Sequence, residues 1–171
     1  MGEKGWRLWI KMVNEQGGIY VKEYGKKLKV ETIIYDDESD PTTAAELYRK
    51  LIEVDKVDLL VGPYASAVNY AVQSIAESYG YILPICEGTS TKLYNRGLKY
   101  SFMCGPAGTA DYYSYPLMKW LSELPPDKRP TKVAILAEDS AFPRTVYEGV
   151  KEQCKEFGFE VVYEELYPKG T

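Results

Sequence analysis

Val57-Asp58-Leu59-Leu60-Val61-Gly62-Pro63-Tyr64-Ala65-Ser66 is the stretch on which the fold turns. Val57, Leu59, Leu60 and Val61 read as a short buried strand over residues 57–61, and Gly62-Pro63 ends it. Ser66 then stands where a helix cap is expected. Tyr70, Ala71, Ser74 and Ile75 follow on one helical face. Strand, turn and helix in that order form the repeating unit of an α/β protein with a parallel sheet.

The alternation extends both ways from this stretch. On the N-terminal side, Leu28, Val30, Thr32 and Ile34 alternate with other residues and predict a strand over residues 28–35. After an acidic turn, Asp40-Pro41 predicts a helix start, with Asp at the cap and Pro in the first turn. Leu47, Tyr48, Leu51 and Ile52 give that helix its apolar face. Earlier still, Trp6, Trp9, Ile10 and Val13 have helical spacing, and Gly17-Gly18 stops the helix. On the C-terminal side, strands are expected at 81–85 and 100–103, with a loop and helical turn at 89–94 between them. A helix over 111–124 leads to a linker at 125–130 marked by Pro125, Pro126 and Pro130. A strand at 132–137, a helix at 143–157 and a strand at 159–163 complete the pattern. The fold class that follows is α/β with a doubly wound parallel sheet.

Composition narrows the function classes. The 171 residues suffice for one domain, or one domain and part of another. A net charge of −4, with acidic and basic groups interspersed, argues against a nucleic-acid surface. The chain has no histidine, which removes the commonest general base and the commonest metal ligand together. Cys86, Cys104 and Cys154 form no Cys-x-x-Cys pair, so no zinc-site spacing exists. Cys154 lies in phase with Val146, Val150 and Phe157 and reads as a buried apolar residue. Cys86 and Cys104 read either as a disulfide of an exported protein or as two unlinked thiols. The opening Met-Gly-Glu-Lys-Gly-Trp lacks the apolar segment of a signal peptide, and no apolar run is long enough to span a membrane.

Ligands of open parallel sheets gather beyond the carboxyl ends of the strands. Ser66 offers a hydroxyl and a backbone N–H at a helix start, an arrangement suited to a carboxylate, though a plain cap is the simpler reading. Glu87-Gly88-Thr89-Ser90-Thr91 follows the next strand, with Gly88 permitting close approach and hydroxyls clustered beside it. If both loops share one sheet edge, Ser66 and Thr89 converge on a small polar pocket. Asp36, Asp37, Glu38 and Asp40 lack the spacing of a calcium loop and read as a solvated turn. Glu138 and Asp139 have no nucleophile or histidine beside them. No Walker A, Gly-x-Gly-x-x-Gly or Gly-x-Ser-x-Gly motif occurs, so neither an enzyme nor a cofactor is expected.

Val13-Asn14-Glu15-Gln16-Gly17-Gly18-Ile19 resembles the end of the first helix in branched-chain amino-acid binding proteins, the type I solute-binding proteins of ABC transporters. Asp36-Asp37-Glu38-Ser39-Asp40-Pro41 is similar to their acidic turn, and Val61-Gly62-Pro63-Tyr64-Ala65-Ser66 and Gly88-Thr89-Ser90 to their two ligand loops. Ala137-Glu138-Asp139-Ser140-Ala141-Phe142 resembles the first ligand loop of their second lobe. The resemblance implies a Rossmann-like lobe of a receptor, periplasmic or lipid-anchored outside the cell, that delivers amino acids or related small polar molecules to a membrane permease. It implies that Ser66 and Thr89 hold the ligand's carboxylate, with Glu87, Tyr64 and Phe142 beside it. An acid at Glu87 departs from the small residue usual there.

By the same resemblance, residues 1–124 are a first lobe lacking its opening strand and residues 131–171 the beginning of a second, so that binding should be weak or absent. The slot of the lacking strand is then expected to be filled by residues 132–137, from the same chain or from a second copy in a domain-swapped homodimer. A ligand-sensing regulatory domain of the same fold and a small flavodoxin-like enzyme or response domain are the competing readings.

Overall fold

The computed structural model describes residues 2–105 and 108–170. They divide into two compact units, residues 1–36 and 37–171.

In the first unit, helix α1 (Gly2–Glu15) is followed by a hairpin of β1 (Ile19–Val21) and β2 (Lys26–Leu28), paired antiparallel with Ile19 opposite Leu28. The predicted helix and its stop are borne out. The Gly17 and Gly18 backbones take φ of 93° and 99°, and the Gly18 N–H closes on the Val13 carbonyl at 2.9 Å. A Cβ on Gly18 would lie 1.9 Å from the Leu28 carbonyl oxygen, so only glycine lets the hairpin begin there. Asn14 explains the motif around it. Its amide donates to the Val30 carbonyl at 2.9 Å and accepts from the Val30 N–H at 2.8 Å, standing in for a strand neighbour. The strand expected over residues 28–35 needs correction. Its ladder ends at Leu28, and residues 29–36 are not part of a strand.

The second unit is built from α2 (Pro41–Glu53), α3 (Ser66–Tyr79), β3 (Leu83–Ile85), α4 (Thr91–Tyr94), β4 (Ser101–Met103), α5 (Tyr115–Ser122), β5 (Lys132–Glu138), α6 (Ala141–Phe157) and β6 (Glu160–Tyr167). Asp40 caps α2 as expected, its Oδ1 accepting from the Thr43 N–H at 2.7 Å with Pro41 in the first turn. That hydrogen bond holds the Asp40 carboxyl below the usual carboxylate range. The helix expected over 111–124 is broken into a short turn at Ala110–Tyr112 and then α5. Pro116 lies in the first turn of α5, where its lack of an N–H does no harm.

Strand pairing is parallel in both ladders of this unit. Leu83 stands opposite Ser101 and Ile85 opposite Met103. Lys132 stands opposite Glu160, with an irregularity after Val133 that moves the register by one residue. Residues 57–61, expected as a strand, form none. They touch β3 through a hydrogen bond from the Gly62 N–H to the Pro84 carbonyl at 2.9 Å, and Tyr81 donates its hydroxyl to the Val57 carbonyl at 2.8 Å. Leu60 is buried while Leu59 is 72% exposed, so one side of the segment packs and the other is bare. The filling of an empty slot by residues 132–137 is not formed within the chain: β5 takes β6 as its ladder partner. Pairing with β6 satisfies the β5 backbone locally, with one helix as the crossover.

Two apolar cores result. Ala44, Tyr48 and Ile52 of α2 meet Val72, Ile75 and Ala76 of α3 over Leu60, Leu83 and Ile85. The Tyr48 hydroxyl, buried there, donates to the Val61 carbonyl, and burial pushes its ionisation well above the ordinary range. Met118 of α5, Cys154 of α6 and Phe159 form the second core with Val133, Val150 and Val161 around them. Cys154 is buried as its phase in the sequence indicates, and Cys86 and Cys104 are unlinked thiols. Gly149 of α6 rides directly on the backbone of Asp111: an added Cβ would lie 2.1 Å from its carbonyl oxygen. Gly149→Ala must therefore push α6 off the turn at Ala110–Tyr112. We expect urea unfolding to report a loss of about 1–3 kcal/mol, the usual cost of overpacking. A loss below about 0.5 kcal/mol, the scatter of surface substitutions, would show that this contact yields freely.

Candidate functional site

Helix α3 brings the two hydroxyl loops together. Its cap is Ala65 rather than Ser66, and Ser66 is the first helical residue. The expected serine cap is not made. Ser66 Oγ instead accepts from the Ser90 N–H at 3.2 Å, across to the loop that follows β3. Ser66 is 3% and Thr89 4% exposed, and Ser90 is wholly buried. Neither Thr89 nor Ser90 caps α4 through its side chain, so their hydroxyls are free for other partners.

Ser90 Oγ lies 2.7 Å from Thr145 Oγ1 of α6, and Thr145 Oγ1 donates to the Ala141 carbonyl at 2.9 Å. A hydroxyl has one proton to give, so Ser90 is the donor of the pair. Ser66, Ser90 and Thr145 thus form one polar chain. Thr89 is outside it: its carbonyl accepts from the Ala110 N–H at 2.8 Å, but its Oγ1 is buried with no hydrogen-bond partner among the described residues. Asn69, one turn along α3, is buried beneath both loops and donates from Nδ2 to the Pro63 carbonyl at 2.7 Å. Tyr94 of α4 donates its hydroxyl to the Gly88 carbonyl. Burial raises its ionisation to about 12, so it is a proton donor throughout the neutral range.

The remaining residues named from the sequence lie around this centre. Glu87 is exposed, and Tyr64 is 76% exposed. Phe142 opens α6 one turn before Thr145 and meets Tyr113 edge-on, with ring centroids 5.8 Å apart. Asp139, one of the paired carboxylates, is bound by Arg144, whose Nε lies 2.9 Å from its Oδ1. A cleft of about 750 Å³ opens beside the hydroxyl chain, bordered by Thr91, Asp111, Tyr115, Arg144 and Thr145. Thr145 thus faces the cleft and Ser90 at once. Asn69, Tyr94 and Thr145 escaped the sequence reading. Asn69 carried a usable signal, standing three residues after Ser66 on the same helical face. Thr145 carried none, since its partner lies 55 residues away in the chain.

The family model described as periplasmic binding protein matches residues 1–171. A Leu/Ile/Val-binding protein homolog 8 from Brucella abortus is 29% identical over 175 residues, covering 98% of this chain and 41% of the relative. The chain therefore spans less than half the length of the curated relatives it matches. Among solved structures, the substrate-binding protein LivJ of a branched-chain amino acid transporter from Streptococcus pneumoniae, in complex with isoleucine, superposes with a TM-score of 0.80 at 24% identity. It covers 99% of this chain and 44% of its own. A solute-binding protein from R. palustris, in complex with benzoate, gives 0.74 at 22% identity, covering 93% and 41%. These likenesses show the fold, that of the type I periplasmic binding proteins.

The strap from Tyr94 to Gly88 is testable by itself. Tyr94→Phe deletes one hydroxyl and leaves the Gly88 carbonyl without that donor. Chemical denaturation should show a loss of about 0.5–1.5 kcal/mol, the usual net value of one such bond. The wild-type advantage should shrink as pH rises from the unfolded tyrosine's ordinary value near 10 toward about 12, because the unfolded chain releases the proton first. An advantage unchanged across that window would show that the hydroxyl contributes nothing to stability.

Proposed function

Since the chain belongs to the periplasmic binding protein family, we propose that it supplies part of the ligand site of an ABC-transporter substrate-binding component and takes a small molecule's carboxylate at the Ser66 and Thr89 loops. The observation that carries this reading is Thr89 Oγ1. It is a buried hydroxyl without a partner among the described residues, one residue from the N–H that Ser66 Oγ accepts. Such a group costs about 1–3 kcal/mol, and a carboxylate oxygen is an acceptor that relieves the cost. The first turn of α3 adds unpaired backbone N–H groups and the positive end of the helix dipole.

Isoleucine and benzoate, bound by the two structural neighbours, differ in body and share a carboxylate. That common group is what we carry over to this chain. We assign Tyr64 and Phe142 to the rim of the site, where the body of the ligand would lie. Glu87, turned to solvent, adds negative charge at the same rim and disfavours a second anionic group on the ligand. On this reading residues 1–124 belong to a first lobe, 131–171 to a second, and 125–130 join them. The working partner is a membrane permease, and the working place is outside the cytoplasm.

Thr145 of α6 takes the Ser90 hydroxyl beside Thr89, and the chain spans less than half the length of its curated relatives. The chain by itself should therefore bind weakly. Adding isoleucine, leucine or benzoate to ¹⁵N-labelled chain should move the Ser66, Thr89 and Ser90 amide resonances without saturating them. In a protein extended to the length of its relatives, calorimetry should show losses of roughly 1–3 kcal/mol for Ser66→Ala and for Thr89→Ala, as for charge-assisted bonds. Unchanged affinity in both variants would sink the assignment.

A further inference from the structure

We propose that Asn69 is the positioning residue of this site, a single buried amide that sets the spacing of the two hydroxyl loops; the inference rests on reading those loops as the ligand site. Asn69 has no exposed surface. Its Nδ2 donates to the Pro63 carbonyl at 2.7 Å and, beside the helical bond from the Asn69 N–H at 2.9 Å, to the Ala65 carbonyl at 3.1 Å, so the side chain ties the turn before Ser66 to α3 at Pro63. The same amide lies against both loops. A Cβ on Gly62 would stand 2.9 Å from Asn69 Oδ1, and a Cβ on Gly88 2.7 Å from Asn69 Nδ2. Each loop therefore presents a glycine to this side chain, and any larger residue would drive the loops apart.

Packing alone does not explain an amide here. Asn69 Oδ1 is buried with no hydrogen-bond partner among the described residues, which is an uncompensated cost. Leucine has nearly the same shape, would fill the same space and would bury no orphaned acceptor. What leucine lacks is the donor to Pro63, since its own N–H would still hold the Ala65 carbonyl. With those carbonyls held, α3 starts at a fixed point and Ser66 Oγ meets the Ser90 N–H at 3.2 Å. Thr89, next to Ser90 in the chain, is placed by the same bond. The role is thus to hold other groups in place and involves no contact with ligand.

The test is Asn69→Leu in the whole chain, read by circular dichroism and by amide hydrogen exchange. We expect helix content to persist, the Ser90 amide to exchange at least about tenfold faster than in wild type, and the Ser90 resonance to shift. The Leu83 amide, bonded to the Tyr100 carbonyl in the β3–β4 ladder, should keep its protection. Asn69→Ala, which removes the donors without adding bulk, should do the same. Retained Ser90 protection in both variants would overturn the proposal and make Asn69 a packing residue. Equal loss of protection at Ser90 and Leu83, or collapse of both variants, would overturn it too, by making Asn69 part of the general core. A wild type without benzoate-induced shifts at Ser66 or Thr89 counts against the carboxylate reading, while Ser90 exchange still decides Asn69.

Discussion

The approach of α3 to the loops after residues 57–61 and after β3 is the constraint on which the rest depends. Gly62 and Gly88 leave no side chain where Asn69 lies, and Asn69 returns two hydrogen bonds to the backbone between them. At that distance Ser66 Oγ reaches Ser90, and Val72, Ile75 and Ala76 reach Leu60, Leu83 and Ile85. The polar site and the first apolar core are thus two ends of one helix contact. A change that lifted α3 would uncover apolar surface and break the hydroxyl chain together, which couples the geometry of the site to the stability of the core.

The hydroxyl chain is directional. Thr145 spends its proton on Ala141, so Ser90 spends its own on Thr145, and Ser66 accepts from the Ser90 backbone. Thr89 Oγ1 is outside this arrangement while remaining buried. Polar groups in an apolar setting are either satisfied or costly, with little between. Among the described residues, the buried oxygens without a partner include Thr89 Oγ1 and Asn69 Oδ1, both within the approach of α3 to its two loops, and Asp111 Oδ1 at the border of the cleft. Of the acidic side chains that follow the strands, Glu87 is exposed and Asp139 is occupied by Arg144.

Backbone pairing explains where the expected strands failed. A strand exists only through its ladder, and apolar alternation supplies none. Residues 57–61 carry strand chemistry in Val57, Leu59, Leu60 and Val61, yet their hydrogen bonds to β3 begin only at Gly62. The segment beyond Leu28 is steadied at Val30 by the Asn14 side chain rather than by a neighbouring strand. Residues 132–137 found the nearest parallel partner, β6, one helix further along the chain. Within the chain, the expectation that they would fill a slot elsewhere in the sheet gives way to a local βαβ unit that satisfies itself.

Local chemistry was legible in the sequence by itself. Asp40-Pro41 set the start of α2, Gly17-Gly18 the end of α1, Cys154 the inner face of α6, and the α/β class followed from the alternation of elements. These features depend on a few neighbouring residues, whose capping and periodicity act within a turn or two. The meeting of the Ser66 and Thr89 loops was an inference from strand order, which named the loops without their bonding. The tertiary structure alone decided that Ser66 serves as acceptor for Ser90 rather than as a cap, that Asn69 rather than Tyr70 faces inward, and that Thr145 closes over the loop. Each of those choices depends on a partner 20 or more residues away or on a helix phase fixed by packing. No local propensity encodes such a contact, because its free energy is realised only when two distant segments have already been brought to hydrogen-bond distance.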